Sequence, residues 1–90
     1  MALRNLGEGE IQMYYVYIIK LKNGKFYTGS SSNLQNRIKE HDAGRVMATK
    51  AYRPVRLVYY SAFKSKSKAV KFELYLKTGS GIGFRNKRFI

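Results

Sequence analysis

The chain reads as a small α+β domain, a three-stranded antiparallel sheet flanked by helices in the order β-β-α-β-α-α. Two aromatic and β-branched runs flank Asn23-Gly24, which marks a hairpin. A third such run, Val55 to Phe63, follows a helix-period segment and precedes another. Strands and helices mixed in this order, in only 90 residues, fit a single sheet with helices against it.

Each element has a local reason. Residues 1–12 show no periodicity and are expected to form a flexible N-terminal arm, with a single domain over 13–90. "MYYVYIIKLKNGKFYTGS" supplies the hairpin. "SNLQNRIKEHDAG" predicts a helix, with Ser32 and Gln35 at capping-box spacing and Gly44 just past its end. "RVMATKAYR" reads as a loop closed by Pro54, and "VRLVYYSAF" as the third strand. "SKSKAVKFELYLKTG" predicts a second helix, capped by Ser65 or Ser67 and stopped at Gly79. "SGIGFRNKRFI" opens on glycines and is expected to end in a short helix.

Charge narrows the function. Eighteen Lys and Arg stand against five Asp and Glu, and from Met13 onward 17 basic residues face 3 acidic ones. Such self-repulsion points to a polyanionic partner, and nucleic acid is expected rather than a membrane surface, because no basic helix keeps a broad apolar face for lipid. The chain has no cysteine, which excludes disulfides and thiolate metal sites. Its longest apolar run, Met13 to Ile19, is far short of the roughly 20 residues of a membrane span. Without a signal-peptide pattern, a cytoplasmic location is expected. Lys64, Lys66, Lys68 and Lys71 are candidate contacts to a nucleic-acid backbone, or a solvated face.

Three groups of residues carry chemistry. On the first helix, Arg37 and His41 share the core-facing side with Leu34 and Ile38, whereas a solubilising charge would sit opposite. Arg37 is either functional or a snorkelling side chain, and His41 either functional or a satisfied core histidine. On the second helix, Glu73 lies within the apolar stripe of Ala69, Val70, Phe72, Leu74 and Leu76. A carboxylate there needs a cation, supplied by Arg37 or a lysine in an ion pair or by a divalent metal. In the hairpin, a strict two-residue turn pairs Lys20 with Tyr27 and puts Tyr17 on the other face. A turn with a glycine bulge pairs Ile19 with Tyr27 and sets Tyr17 opposite Gly29, so that both rings share a face and Gly29 leaves room for Tyr17. The bulged register is the expectation.

Taken in order, "VYI" around Tyr17, "YTG" at Tyr27 to Gly29, Arg37, His41 and Glu73 resemble the GIY-YIG endonuclease domain, found in the UvrC repair nuclease, in phage homing endonucleases and in small stand-alone bacterial proteins. The resemblance spans nearly all of 13–90. It implies metal-dependent hydrolysis of phosphodiester bonds in DNA, nicking or structure-directed, with one Mg²⁺ or Mn²⁺. By position, Tyr27 is implied as general base or water-positioning group with Tyr17 beside it. Arg37 would stabilise phosphoryl charge, His41 assist at the phosphate or in proton transfer, and Glu73 hold the metal. Ser30 stands where several members carry a lysine, and Asn86 matches a C-terminal polar residue. No separate DNA-reading module is evident, so specificity would come from substrate structure or from a protein partner. The alternative is a non-catalytic basic domain that keeps the fold and binds nucleic acid.

Overall fold

The computed structural model describes residues 11–90; the expected N-terminal arm lies outside them except for Ile11 and Gln12, both exposed. Three strands, β1 (Tyr14–Lys20), β2 (Phe26–Ser31) and β3 (Arg56–Phe63), form one antiparallel sheet in the order β2-β1-β3. Helix α1 (Leu34–Asp42) follows β2, and α2 (Lys66–Leu76) and α3 (Gly79–Arg88) follow β3.

The hairpin adopts the bulged register: Ile19 pairs with Tyr27 and Tyr17 with Gly29. The Gly24 amide donates to the Leu21 carbonyl at 2.9 Å and Gly24 has φ +85°, a conformation glycine takes without a Cβ penalty. Lys25 N–H closes the turn by donating to Asn23 Oδ1.

Strand alternation then divides the core. Val16 and Ile18 face α2 and α3, packing with Ala69 and Leu76. Tyr17 and Ile19 face the other way, with Leu21 and the α1 residue Leu34. The α2–α3 side is aromatic, with the Tyr59 and Phe89 rings stacked at 3.9 Å between centroids.

Four expectations are corrected. The α1 cap is Asn33, whose Oδ1 accepts from Asn36 N–H at 3.0 Å, because Ser31 and Asn33 first close a turn that leaves Ser32 one residue too early. The segment read as a loop contains a 3₁₀ turn over Lys50–Tyr52 and buries Val46 and Thr49. Val70 and Leu74 are exposed, since α2 turns only the Ala69–Leu76 side to the sheet. The glycines after Lys77 do not end a helix; Thr78 caps α3 directly, its Oγ1 accepting from Gly81 N–H at 3.1 Å. A Cβ at Gly81 would overlap the Tyr75 carbonyl, so this glycine lets the start of α3 press against the end of α2. Of the alternatives for the second helix, Ser65 is the cap, and Gly44 follows α1 at φ +77° as expected.

Candidate active site at the edge of the sheet

The site is built around β2, an edge strand with β1 as its only sheet neighbour. Tyr17 projects from β1 and lies against Gly29, where an added Cβ would come within 2.5 Å of its Oη and 2.7 Å of its Cζ. Glycine at this position is therefore what allows the ring to lie across the neighbouring strand. Tyr27 stands on the same face, its ring centroid 6.5 Å from that of Tyr17. His41, descending from α1, meets both rings edge-on at 5.6 and 5.2 Å.

Tyr17 and His41 are wholly buried and joined by a directed chain of hydrogen bonds. Tyr17 Oη lies 2.8 Å from His41 Nε2, and His41 Nδ1 lies 2.8 Å from Thr49 Oγ1. The direction follows from the Thr49 end. The Thr49 hydroxyl reaches the Val46 carbonyl at 3.5 Å, and a carbonyl can only accept. The Thr49 oxygen therefore accepts from His41 Nδ1, and the neutral ring accepts the Tyr17 proton at Nε2.

The electrostatics agree. Burial, the largest influence, pushes the Tyr17 hydroxyl up to about 12 against the opposing pull of Arg37. It is a protonated donor at neutral pH. Burial, helped by the Arg37 charge, lowers the His41 pKa, so the imidazole is neutral, as a ring that must accept at Nε2 has to be. Both His41 nitrogens are engaged and the residue has no exposed surface, so its polar contact with the rest of the site is the Tyr17 hydroxyl. Arg37 differs: its side chain is 36% exposed, and Nη1 donates to Glu40 Oε1 at 3.1 Å. Interaction with the Tyr17 oxygen, then the Glu40 hydrogen bond, raises its pKa further, fixing a permanent cation at the rim.

Glu73 approaches from the opposite side of the sheet. Its Oε1 accepts from Ser30 Oγ at 2.5 Å and its Oε2 pairs with Lys77 Nζ at 2.7 Å. Of the cations open to it in the sequence, a lysine four residues on is the one it meets, and Arg37 pairs with Glu40 instead. Burial raises the Glu73 pKa, but the Lys77 and Ser30 hydrogen bonds and the Lys77 charge outweigh it and leave the pKa lowered. The carboxylate is ionised at neutral pH, 16% exposed, and close enough to influence the Tyr17 hydroxyl. The two faces meet at the open edge of β2, where Tyr27 and Lys77 line one cleft of about 260 Å³ with Arg85.

Among the described residues no three His, Cys, Asp or Glu side chains gather as a metal cage. The donor set present, one ionised and partly exposed carboxylate beside a hydroxyl, fits a hard cation that keeps most of its waters and takes substrate phosphate oxygens. Asn86 is exposed on α3, its Oδ1 accepting at 3.0 Å from Nε of Arg85, which lines the cleft with Tyr27 and Lys77. Lys64, Lys66, Lys68 and Lys71 are all exposed. Sequence reasoning passed over Lys77, Glu40 and Thr49. The first two were signalled by helix spacing, Glu to Lys at i,i+4 and Arg to Glu at i,i+3. Thr49 gave no signal, because nothing local ties a loop threonine to a histidine eight residues earlier.

The fold thus brings two tyrosines and an arginine on one face, and a glutamate from the other, near the edge strand β2. A sequence model of the GIY-YIG catalytic domain matches residues 13–85, and the chain belongs to the GIY-YIG family, a nuclease family. Among its relatives, a UPF0213 protein of Staphylococcus haemolyticus is 47% identical over 68 residues, covering 74% of this chain and 83% of that one. Another from Clostridium perfringens is 44% identical over 66 residues, covering 72% and 71%. The solution NMR structure of a UPF0213 protein from Bacillus halodurans superposes with a TM-score of 0.54 at 33% identity, over 83% of both chains. The chain is thus similar to small proteins that consist mostly of this one domain. No helix among the described residues is long and apolar enough to cross a membrane.

Proposed function

We propose that this protein is a metal-dependent endonuclease that hydrolyses phosphodiester bonds in DNA, nicking it or acting at branched structures. The observation that carries the reading is Glu73: a single ionised carboxylate set at the β2 edge of a strongly basic domain, within electrostatic reach of the Tyr17–Arg37 group.

The chain's own residues divide the work. Arg37 presents guanidinium donors to the non-bridging oxygens of the scissile phosphate and offsets the charge that builds there. Tyr27, half-buried at the cleft, positions the attacking water through its hydroxyl. Tyr17, fully protonated, stands within the electrostatic influence of Arg37 and is held by His41, which Thr49 orients. Glu73, oriented by Ser30, would hold one Mg²⁺ or Mn²⁺, which when bound supplies Lewis-acid polarisation of the phosphate and stabilises the leaving oxygen. Nothing in this arrangement reads bases, so sequence or structure preference is left to the substrate's shape or to a protein partner.

The test is cleavage of supercoiled plasmid and of a flapped oligonucleotide with Mg²⁺, Mn²⁺ or EDTA. Wild type, Arg37→Ala and Glu73→Ala are compared at low salt. Metal-dependent nicking by wild type, lost in both variants, is the expected result. Binding without cleavage under every condition would leave a nucleic-acid-binding domain whose Glu73–Lys77 pair is purely structural.

A further inference from the structure

The basic residues of this domain are not equivalent, and the second helix sorts them. Ala69 and Leu76 mark the side of α2 buried on the sheet. Lys66, Val70, Glu73 and Lys77 follow one another at steps of four, three and four residues, a single stripe beside that buried side. The stripe faces β2, since Glu73 meets Ser30. Lys68 and Lys71 fall on the far side of the helix, toward solvent.

Where this stripe meets the open edge of β2 there is a seam with a cleft at each end. One cleft, of about 380 Å³, lies between Lys66, Tyr14, Ser30, Ser31 and Ser32. The other, of about 260 Å³, lies between Tyr27, Lys77 and Arg85. Arg85 sits over the Phe26 ring at 5.3 Å, which sets its charge at the end of β2 opposite Lys66. The eleven residue steps from Lys66 to the cap residue Lys77 span about 16 Å at about 1.5 Å each. Glu73 lies between the two clefts.

We infer that this α2–β2 seam is the groove that tracks one strand of DNA through the site, with Lys66 and Arg85 as its backbone clamps on either side of the scissile phosphate. The inference rests on the nuclease reading and deepens it. The seam offers cations at its ends and half-buried aromatic rings, Tyr14 and Tyr27, along its walls. These are the elements that bind a sugar-phosphate chain and its unstacked bases without reading sequence. Lys68 and Lys71 are a solvated face, and Lys64, in the turn before α2, is not part of the seam.

The test is binding of a fluorescent single-stranded oligonucleotide in EDTA as a function of salt, for wild type, Lys66→Ala, Arg85→Ala, Lys68→Ala and Lys71→Ala. Removing one cation that neutralises a phosphate should flatten the slope of log K against log salt by about 0.7 for a single strand. Lys66→Ala and Arg85→Ala are each expected to show this flattening and weaker binding, with thermal midpoints close to wild type. Lys68→Ala and Lys71→Ala should leave the slope where it is. Equal effects from all four, or effects confined to Lys68 and Lys71, would overturn the groove. The nuclease reading has its own outcome. Plasmid nicking with a uniform lysine response leaves the nuclease and removes the groove, whereas groove-dependent binding with no cleavage under any metal does the reverse.

Discussion

Replacing Thr49 with valine tests the buried chain on which the geometry of Tyr17 depends. Valine keeps the shape of threonine but offers no oxygen, so His41 Nδ1–H loses its acceptor in a wholly buried site. Leaving a buried donor unsatisfied costs about 1–3 kcal/mol, and the added apolar methyl offsets this by about 0.8 kcal/mol at most. A net loss of about 1–2 kcal/mol is expected, and for a domain of this size each kcal/mol moves the thermal midpoint by about 4–8 °C. The ring has an escape: moving its proton from Nδ1 to Nε2 removes the orphan donor. It would then donate to Tyr17 Oη, and the Tyr17 proton would have to turn away from the ring that now accepts it. His41 is the only histidine in the chain, so long-range ¹H–¹⁵N spectra of the imidazole show one ring and report its tautomer directly. Wild type should show a protonated Nδ1 and a bare Nε2, Thr49→Val the reverse, and Thr49→Ser the wild-type pattern. An unchanged tautomer in Thr49→Val, with an unchanged melting midpoint, would refute the directed chain.

Other perturbations follow from the same geometry. Gly29→Ala places a Cβ 2.5 Å from Tyr17 Oη, and the buried ring has nowhere to go, so a loss of about 1–3 kcal/mol in urea denaturation is expected together with reduced nicking; a silent substitution would mean that Tyr17 is not pinned. Gly81→Ala drives a Cβ into the Tyr75 carbonyl and should destabilise the fold while sparing the His41 spectrum, because it lies on the other side of the sheet. The folded pKa of His41 is below its ordinary 6.5, so the unfolded chain takes up the proton first. Stability should be full above that value and fall with pH until the folded imidazole titrates too. A urea midpoint that stays flat from neutral to mildly acidic pH would contradict its burial as a neutral ring. Lys77→Ala should leave the fold nearly intact and tighten Mn²⁺ binding, read by electron paramagnetic resonance without substrate; weaker binding would mean that Lys77 supports the carboxylate rather than occupying it.

Much of this was legible in the chain because it follows from local rules. The register of the hairpin follows from Asn23-Gly24 and from the bulged turn, and with it the shared face of Tyr17 and Tyr27 and the space at Gly29. The inward side of α1 follows from the spacing of Leu34, Ile38 and His41. What was hidden depended on contacts between segments. The position of Glu73 at the sheet's edge, rather than in the middle of an apolar stripe, depends on how α2 rotates on the sheet. That rotation leaves Leu74 58% exposed, and no periodicity count fixes it. The glycines of α3 read as a break because their intrinsic cost in a helix is about 1 kcal/mol each. The tight packing of Gly81 on the end of α2 and the packing of Phe84 and Phe89 outweigh that cost.

The ion pair between Glu73 and Lys77 and a metal role for Glu73 are compatible, and the burial of the two partners shows why. Lys77 is 47% exposed and Glu73 only 16%, so the lysine end of the pair is solvated and free to swing while the carboxylate end is fixed. Exposed pairs of this kind are worth about 0–1 kcal/mol, so little free energy holds the ammonium on Glu73. A phosphate in the cleft that Lys77 already lines with Tyr27 and Arg85 offers the ammonium an anion of equal or greater charge. When Lys77 turns to it, Glu73 keeps its charge and its Ser30 hydrogen bond but loses its counter-ion, and a carboxylate in that state recruits a hard cation. On the proposed function, Lys77 neutralises the carboxylate while the groove is empty and would become a phosphate ligand when it is filled. Metal affinity at Glu73 should accordingly rise on adding an oligonucleotide to wild type and be already high in Lys77→Ala.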